Sequence, residues 1–205
     1  MSVPKEYKIV LAGPFASGRT AFAAAASKAE KKSIKSLRAD TFKVPLYTSA
    51  GSVVLTLYDT TMHAKGGLPA DDFFRNADAA VVFFAANDRD SLEKSEEWYD
   101  AVVEANRRRG SEPTPILFAG TKVDDLSNLI KPADIDVPRK REVKYVEISA
   151  KAGYGVKELY TEICRMLLGG TVQLTDVLEL QSSSASVDEE ALEKRKKEYE
   201  EAAKP

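Results

Sequence analysis

Five short apolar runs, each apolar on both faces, constrain this chain more than any other feature. They are Tyr7–Ala12, Val53–Tyr58, Ala79–Ala86, Ile116–Ala119 and Tyr145–Ile148. A strand that is apolar on both faces must be covered on both, which suits a parallel sheet flanked by helices. Helix-like patterns lie between the runs, at about 20–31, 91–109 and 156–168. β and α elements of this size in alternation predict a doubly wound α/β sheet with helices on both faces. One segment departs from the alternation. Phe42–Tyr58 holds two β-like runs around Ser49-Ala50-Gly51-Ser52, a hairpin signal. Pro45 lacks an N–H, so the first of these runs belongs at a sheet edge. The expectation is six strands, five parallel and one antiparallel at an edge.

The pattern changes after Gly169-Gly170, which divides the chain into a domain over 1–170 and an extension over 171–205. Gln181–Ser186 has the composition of a flexible linker. Val187–Ala203 reads as a charged helical arm with a thin apolar stripe of Val187, Ala191, Leu192 and Tyr199. So little apolar area predicts an arm that docks conditionally.

Composition narrows the function classes. A single cysteine, Cys164, excludes an internal disulfide framework and a Cys-rich zinc site. A single histidine, His63, excludes any site built on two imidazoles. With 30 basic and 32 acidic residues the net charge is −2, which gives no global pull toward nucleic acid or an anionic membrane. The longest apolar run is too short to span a bilayer. Neither a signal-peptide core nor a lipidation motif is read at the ends. The expectation is a monomer of a reducing compartment, without a membrane anchor and without direct nucleic-acid contact.

Four motifs carry chemistry. The first run leads into Gly13-Pro14-Phe15-Ala16-Ser17-Gly18-Arg19-Thr20, followed by Ala21 in a helix pattern. This matches the phosphate-binding loop G-x-x-x-x-G-K-[ST], with arginine in place of lysine. Such a loop aims backbone N–H groups at a phosphate chain, and Thr20 supplies a hydroxyl for Mg²⁺. Asp59-Thr60 ends the third run, where Asp59 is placed to bind Mg²⁺ through water. Thr121-Lys122-Val123-Asp124 follows the fourth run. The Asp124 carboxylate can accept two N–H groups from guanine, which adenine does not offer, and the Lys122 stem can cover the base. Ser149-Ala150-Lys151 follows the fifth run and brings further N–H groups and a second covering lysine. All four stand at strand C-terminal ends, where open α/β sheets bind ligands. Together they predict a P-loop NTPase fold with a guanine-nucleotide site taking GTP or GDP and Mg²⁺.

On these motifs the sequence resembles the small GTPases of the Ras superfamily, and within them the Ran type. His63-Ala-Lys-Gly-Gly-Leu68 resembles the Ran switch region, and Pro138–Tyr154 resembles Ran's basic patch and guanine loop. The extra C-terminal helix is also Ran-like, although the acidic tip of Ran is absent. The resemblance implies a GDP/GTP switch in nucleocytoplasmic transport, in nucleus and cytoplasm. Implied partners are importin- and exportin-type receptors, an exchange factor and Ran-binding-type proteins. It also implies that Arg139-Lys140-Arg141 contacts the arm or an acidic partner.

The departures from the family pattern fall on the phosphate side. Arg19 replaces the lysine. Phe15 replaces a glycine near the γ-phosphate and should obstruct an arginine finger and the attacking water. Met62 replaces a glycine, and His63 replaces the water-orienting glutamine as the candidate catalytic residue. Thr41 is the nearest candidate for the switch threonine on Mg²⁺. An intact base side and an altered phosphate side predict a protein that binds guanine nucleotide and hydrolyses GTP slowly. The rival reading is a pseudo-GTPase acting as a nucleotide-independent interaction module.

Overall fold

Strand β5 (Ala79–Ala85) is the middle one of five parallel strands. All seven of its residues are buried. Ala79, Val81 and Phe83 belong to one apolar core, Ala80, Val82 and Phe84 to another. Strand β1 (Lys5–Ala12) divides the same way, with Ile9 and Leu11 on one side and Val10 and Ala12 on the other. The two-residue period of a strand thus builds one core on each face of a sheet.

A computed structural model describes residues 4–26, 29–34, 39–60, 71–107, 113–176, 178–180 and 188–202. The further elements are α1 (Arg19–Ala25), β2 (Glu30–Ile34), β3 (Ala39–Thr48), β4 (Gly51–Thr60), α2 (Asp71–Phe74), α3 (Arg89–Arg107) and β6 (Ile116–Thr121). After them come α4 (Val137–Lys140), β7 (Tyr145–Glu147), α5 (Val156–Leu168) and α6 (Glu189–Ala202). The sheet runs β2-β3-β4-β1-β5-β6-β7. Its last five members are parallel, and the β2/β3 and β3/β4 pairs are antiparallel. Helices α1 and α5 cover one core through Phe22, Leu159 and Tyr160, and α3 covers the other through Trp98 and Val102.

Among the described residues the sheet has seven strands, where the sequence pattern predicts six. The extra strand is β2, and its start lies inside the segment read as the end of a helix over 20–31. Helix α1 stops at Ala25. Lys31 and Lys32 are good helix formers, but pairing with β3 outweighs that local preference. The correction also bears on Pro45. β2 covers β3 only over Ala39–Lys43. Beyond that ladder, the chain around 173–175 bonds to the far end of β3, with Thr175 N–H donating to the Tyr47 carbonyl at 2.9 Å. Pro45 occupies the outer edge between these two partners, where its missing N–H leaves no ladder bond unmade.

Helix α6 is docked. Asp188 caps it, accepting from Ala191 N–H at 3.0 Å. Leu192 joins the α3-side core. Arg195, only 4% exposed, donates to Glu147 on β7 through Nε at 2.8 Å and Nη2 at 2.6 Å, and its Nη1 donates to the Ile130 carbonyl at 2.8 Å. Tyr199 donates to the Tyr145 carbonyl at 2.6 Å. The thin apolar stripe is therefore supplemented by a buried bidentate ion pair. The described side-chain contacts of the basic segment, expected to contact the arm or an acidic partner, are with the body and not with α6. Arg141 bonds Glu96 and Asp100 on α3 and stacks over Tyr99, Lys140 pairs with Asp136, and Arg139 donates to the Ala133 carbonyl.

Candidate functional site

The chain leaving β1 runs toward β2 and β3 and the chain leaving its neighbour β5 runs toward β6, so the two connections diverge to opposite sides. The C-terminal end of β1 is the switch point at which doubly wound sheets open a crevice. A cleft of about 540 Å³ lies there, lined by Phe15 through Ala21 with Asp40, Asp59 and Lys122. That volume is within the usual range for small-molecule sites. Two glycines shape the loop between β1 and α1. At Gly13 (φ +143°) a Cβ would run into the Phe83 carbonyl. At Gly18 (φ +88°), which caps α1, a Cβ would sit 2.8 Å from Thr121 Oγ1. The sequence's matched glycines are thus required by both backbone angle and packing. Ala16 takes φ +60° without being glycine.

The loops after β6 and β7 are tied together. Thr121 Oγ1 is 2.8 Å from the Ser17 carbonyl and 3.2 Å from that of Phe84, linking the loop after β6 to the phosphate loop. Lys122 turns left-handed (φ +60°) and reaches the cleft wall. Ser149 Oγ donates to Asp124 Oδ1 at 2.6 Å and accepts from Ala152 N–H at 2.9 Å. Lys151 Nζ stands 3.9 Å from Asp124 Oδ2. Ala150 packs against the α1/α5 core. The residues expected to select the base therefore converge, with the Asp124 carboxylate held in a fixed orientation.

The floor of the cleft is charged. Asp40 on β3 and Asp59 on β4 are directly opposed in the hairpin register. Lys31 Nζ bonds Asp40 at 2.6 Å and Ser33 Oγ donates to it at 2.5 Å. Burial pushes Asp40 up, but these two donors outweigh it and leave the carboxyl below its ordinary value. Asp59, 2% exposed, accepts from Thr20 Oγ1 at 2.5 Å on Oδ2. Its Oδ1 lies 3.7 Å from Arg19 Nε, an ion pair without a hydrogen bond. Burial pushes Asp59 above the ordinary carboxylate value, and Arg19 and Thr20 pull it only part of the way back. Arg19 is 7% exposed, stands 5.3 Å from the Trp98 ring centroid, and has an Nη1 without a hydrogen-bond partner. Ser17 Oγ is likewise buried and unpartnered.

A family model for the Ras family matches residues 8–169, well over half of the chain. The chain belongs to the Ras family. Members of that family are GTP-binding small GTPases with a P-loop, and they generally bind guanine nucleotide with Mg²⁺. In this Ras-family chain the metal candidates divide. Thr20 and Asp59 meet. Thr41 does not join them, because it pairs with Tyr58, one step along the strand from the Asp40/Asp59 pair. The two-residue period turns its side chain to the opposite face, where its hydroxyl bonds the Lys32 carbonyl at 3.1 Å. His63 lies outside the described residues.

Asp40 is the cleft residue that motif reading misses. It was readable by counting back through the hairpin from Thr48 opposite Gly51 to Asp40 opposite Asp59. The donor set of Thr20 and Asp59 also does not fit a divalent ion, because a guanidinium already stands on the same carboxylate. Unit charges 4 Å apart repel by about 4 kcal/mol in a partly wet site, and a doubly charged ion doubles that.

Proposed function

We propose that this Ras-family chain is a Ran-type guanine-nucleotide-binding protein that hydrolyses GTP slowly. The observation that carries the reading is the asymmetry of the site. On the base side Asp124 is oriented by Ser149 at 2.6 Å. On the phosphate side Phe15 stands 71% exposed at the cleft, and the Arg19 side chain pairs with Asp59. A carboxylate so oriented discriminates guanine before any chemistry is asked of the phosphate side. Hydrolysis needs a positioned water and charge stabilisation at the phosphates, and losing one such donor costs about 10²- to 10³-fold in rate.

The Ran-type assignment rests on the resemblance of the 63–68 and 138–154 segments and on the C-terminal helix, which lies on the body. In that role the protein would switch transport receptors of the importin and exportin type between nucleus and cytoplasm, under an exchange factor and Ran-binding-type proteins. A second reading, a pseudo-GTPase that presents its hairpin face to partners, is favoured by the inward placement of Arg19.

The experiment that separates them is to denature the purified protein and identify released nucleotide by chromatography, then to follow one turnover of bound GTP. Stoichiometric guanine nucleotide with slow turnover is expected. An empty protein with no affinity for fluorescent GDP would leave the interaction module as the function. Turnover at the rate of an ordinary small GTPase would remove the claim of slow hydrolysis.

A further inference from the structure

We propose that Arg19 fills the cation position of this cleft, so that Thr20 and Asp59 exclude divalent metal and the protein takes guanosine diphosphate metal-free. The nucleotide part rests on the function proposed above, whereas the exclusion of metal stands on this chain's own residues.

Of the carboxylate that would face a metal, one oxygen is hydrogen-bonded and the other, which makes no hydrogen bond, already has a guanidinium beside it. Asp59 Oδ2 accepts from Thr20 at 2.5 Å, and Oδ1 faces Arg19 Nε at 3.7 Å. Arg19 directly precedes Thr20, so the hydroxyl and the guanidinium reach the same carboxylate from adjacent positions. Trp98 holds the far side of the guanidinium by cation–π contact at 5.3 Å.

The charge balance points the same way. A hard divalent ion at a phosphate site draws its anionic oxygens from one or two carboxylates and from the phosphates. Here the two carboxylates lining the cleft are matched before any ion arrives, Asp59 by Arg19 and Asp40 by Lys31 at 2.6 Å. Beside the Asp59 oxygen, the cleft has donor capacity to spare. Arg19 Nη1 is buried and without a hydrogen-bond partner. Arginine's planar fork suits phosphate oxygens, and a diphosphate is the anion that the loop from Gly13 to Thr20 is shaped to meet.

The test uses the full chain and reads metal and nucleotide separately. Mn²⁺ is titrated into nucleotide-free protein and followed by electron paramagnetic resonance. In parallel, fluorescence is read from Trp98, the chain's one tryptophan. Wild-type protein is expected to leave Mn²⁺ free through the millimolar range, and Arg19→Gln, which removes the charge, is expected to gain a site. Stoichiometric Mn²⁺ on the wild type, lost in Asp59→Asn, would overturn the proposal. So would an Arg19→Gln protein with a native melting transition that still leaves Mn²⁺ free.

Fluorescent GDP is then titrated with Mg²⁺ and with a chelator. Affinity within about twofold in the two buffers is expected for the wild type, and about tenfold or more Mg²⁺ dependence for Arg19→Lys, whose shorter side chain frees Asp59. A wild-type loss of about tenfold on chelation would overturn the metal-free claim. No binding in either buffer would refute the nucleotide function, and Mn²⁺ titration would still decide the fate of the cation position.

Discussion

The base side and the phosphate side of this cleft hang on the same sheet but are held by opposite means. On the base side Thr121, Asp124 and Ser149 all have partners. Thr121 bridges two carbonyls, Ser149 orients Asp124, and two residues upstream Glu147 is clamped by Arg195 from α6. On the phosphate side, partners are missing. Ser17 Oγ, Arg19 Nη1 and Asp59 Oδ1 are buried without hydrogen bonds, and Ala16 is held at a positive φ. Buried polar groups are ordinarily satisfied, and the exceptions concentrate where a ligand completes the network. The base side is built to be rigid before binding. The phosphate side is left incomplete, with the Ser17 hydroxyl, an Arg19 N–H and one Asp59 oxygen all unused.

The largest way to break this contrast is to remove the brace behind the base side. Arg195→Ala leaves Glu147 buried without its counter-charge, with only the Tyr145 hydroxyl still donating to it at 2.9 Å, a class of change that costs about 3–5 kcal/mol. The loss is capped at the docking free energy of α6, because undocking rehydrates Glu147. Hydrogen exchange should therefore show α6 amides losing their protection while β1 and β5 keep theirs. Equal loss across the body would mean that α6 is an integral part of the domain core and not an arm.

Asp124→Asn comes next. It removes one charged acceptor from the base and one partner from Ser149 Oγ, for about 3 kcal/mol or two orders of magnitude in GDP affinity. Xanthosine diphosphate should gain by the same change, since its ring offers the complementary group. Unchanged GDP affinity would sink the assignment of Asp124 to the base.

How much of this was readable beforehand follows from which residues signal by type and which by position. The five parallel strands announce themselves because burial on both faces leaves no polar alternation. Thr121, Asp124 and Ser149 announce themselves because their chemistry needs those residues just after strands. β2 is silent. Its five residues are Glu-Lys-Lys-Ser-Ile, four of them exposed, as suits an edge strand guarded by lysine. Arg195 is silent for a similar reason. In a helix rich in Glu and Lys it reads as one more solvated charge. Only its spacing, three after Leu192 and four before Tyr199, places it on the buried stripe. Thr41, the threonine nearest to the position counted back from Pro45, lies one step along β3 from the residue that lines the cleft, Asp40.

A smaller effect tests the strain of the phosphate side directly. Ala16 at φ +60° carries a Cβ where glycine carries none, a cost of about 1 kcal/mol or somewhat more. Ala16→Gly should recover part of it, raising the melting temperature of nucleotide-free protein by about 2–4 °C. A fall in melting temperature would mean that glycine's extra freedom in the unfolded chain outweighs the relieved strain, and would weaken the picture of a strained loop.

The smallest effect separates the two opposed carboxylates on the cleft floor. Burial raises Asp40, but Lys31 and Ser33 more than offset it, so its folded pKa lies below its unfolded one. Its stabilisation is therefore present above the unfolded value and is lost as pH falls through the folded one. Asp59 behaves in the opposite sense. Burial leaves its folded pKa raised, so the fold favours its protonated form and its contribution declines as pH rises through that value. Denaturant unfolding from neutral pH into the acid range should show the steeper acid loss in wild type and a flatter profile in Asp40→Asn. Lys31 is 53% exposed, so the difference should stay within about 1 kcal/mol. An Asp40→Asn profile as steep as wild type would place the acid sensitivity elsewhere and remove Asp40 from the charge balance of the cleft.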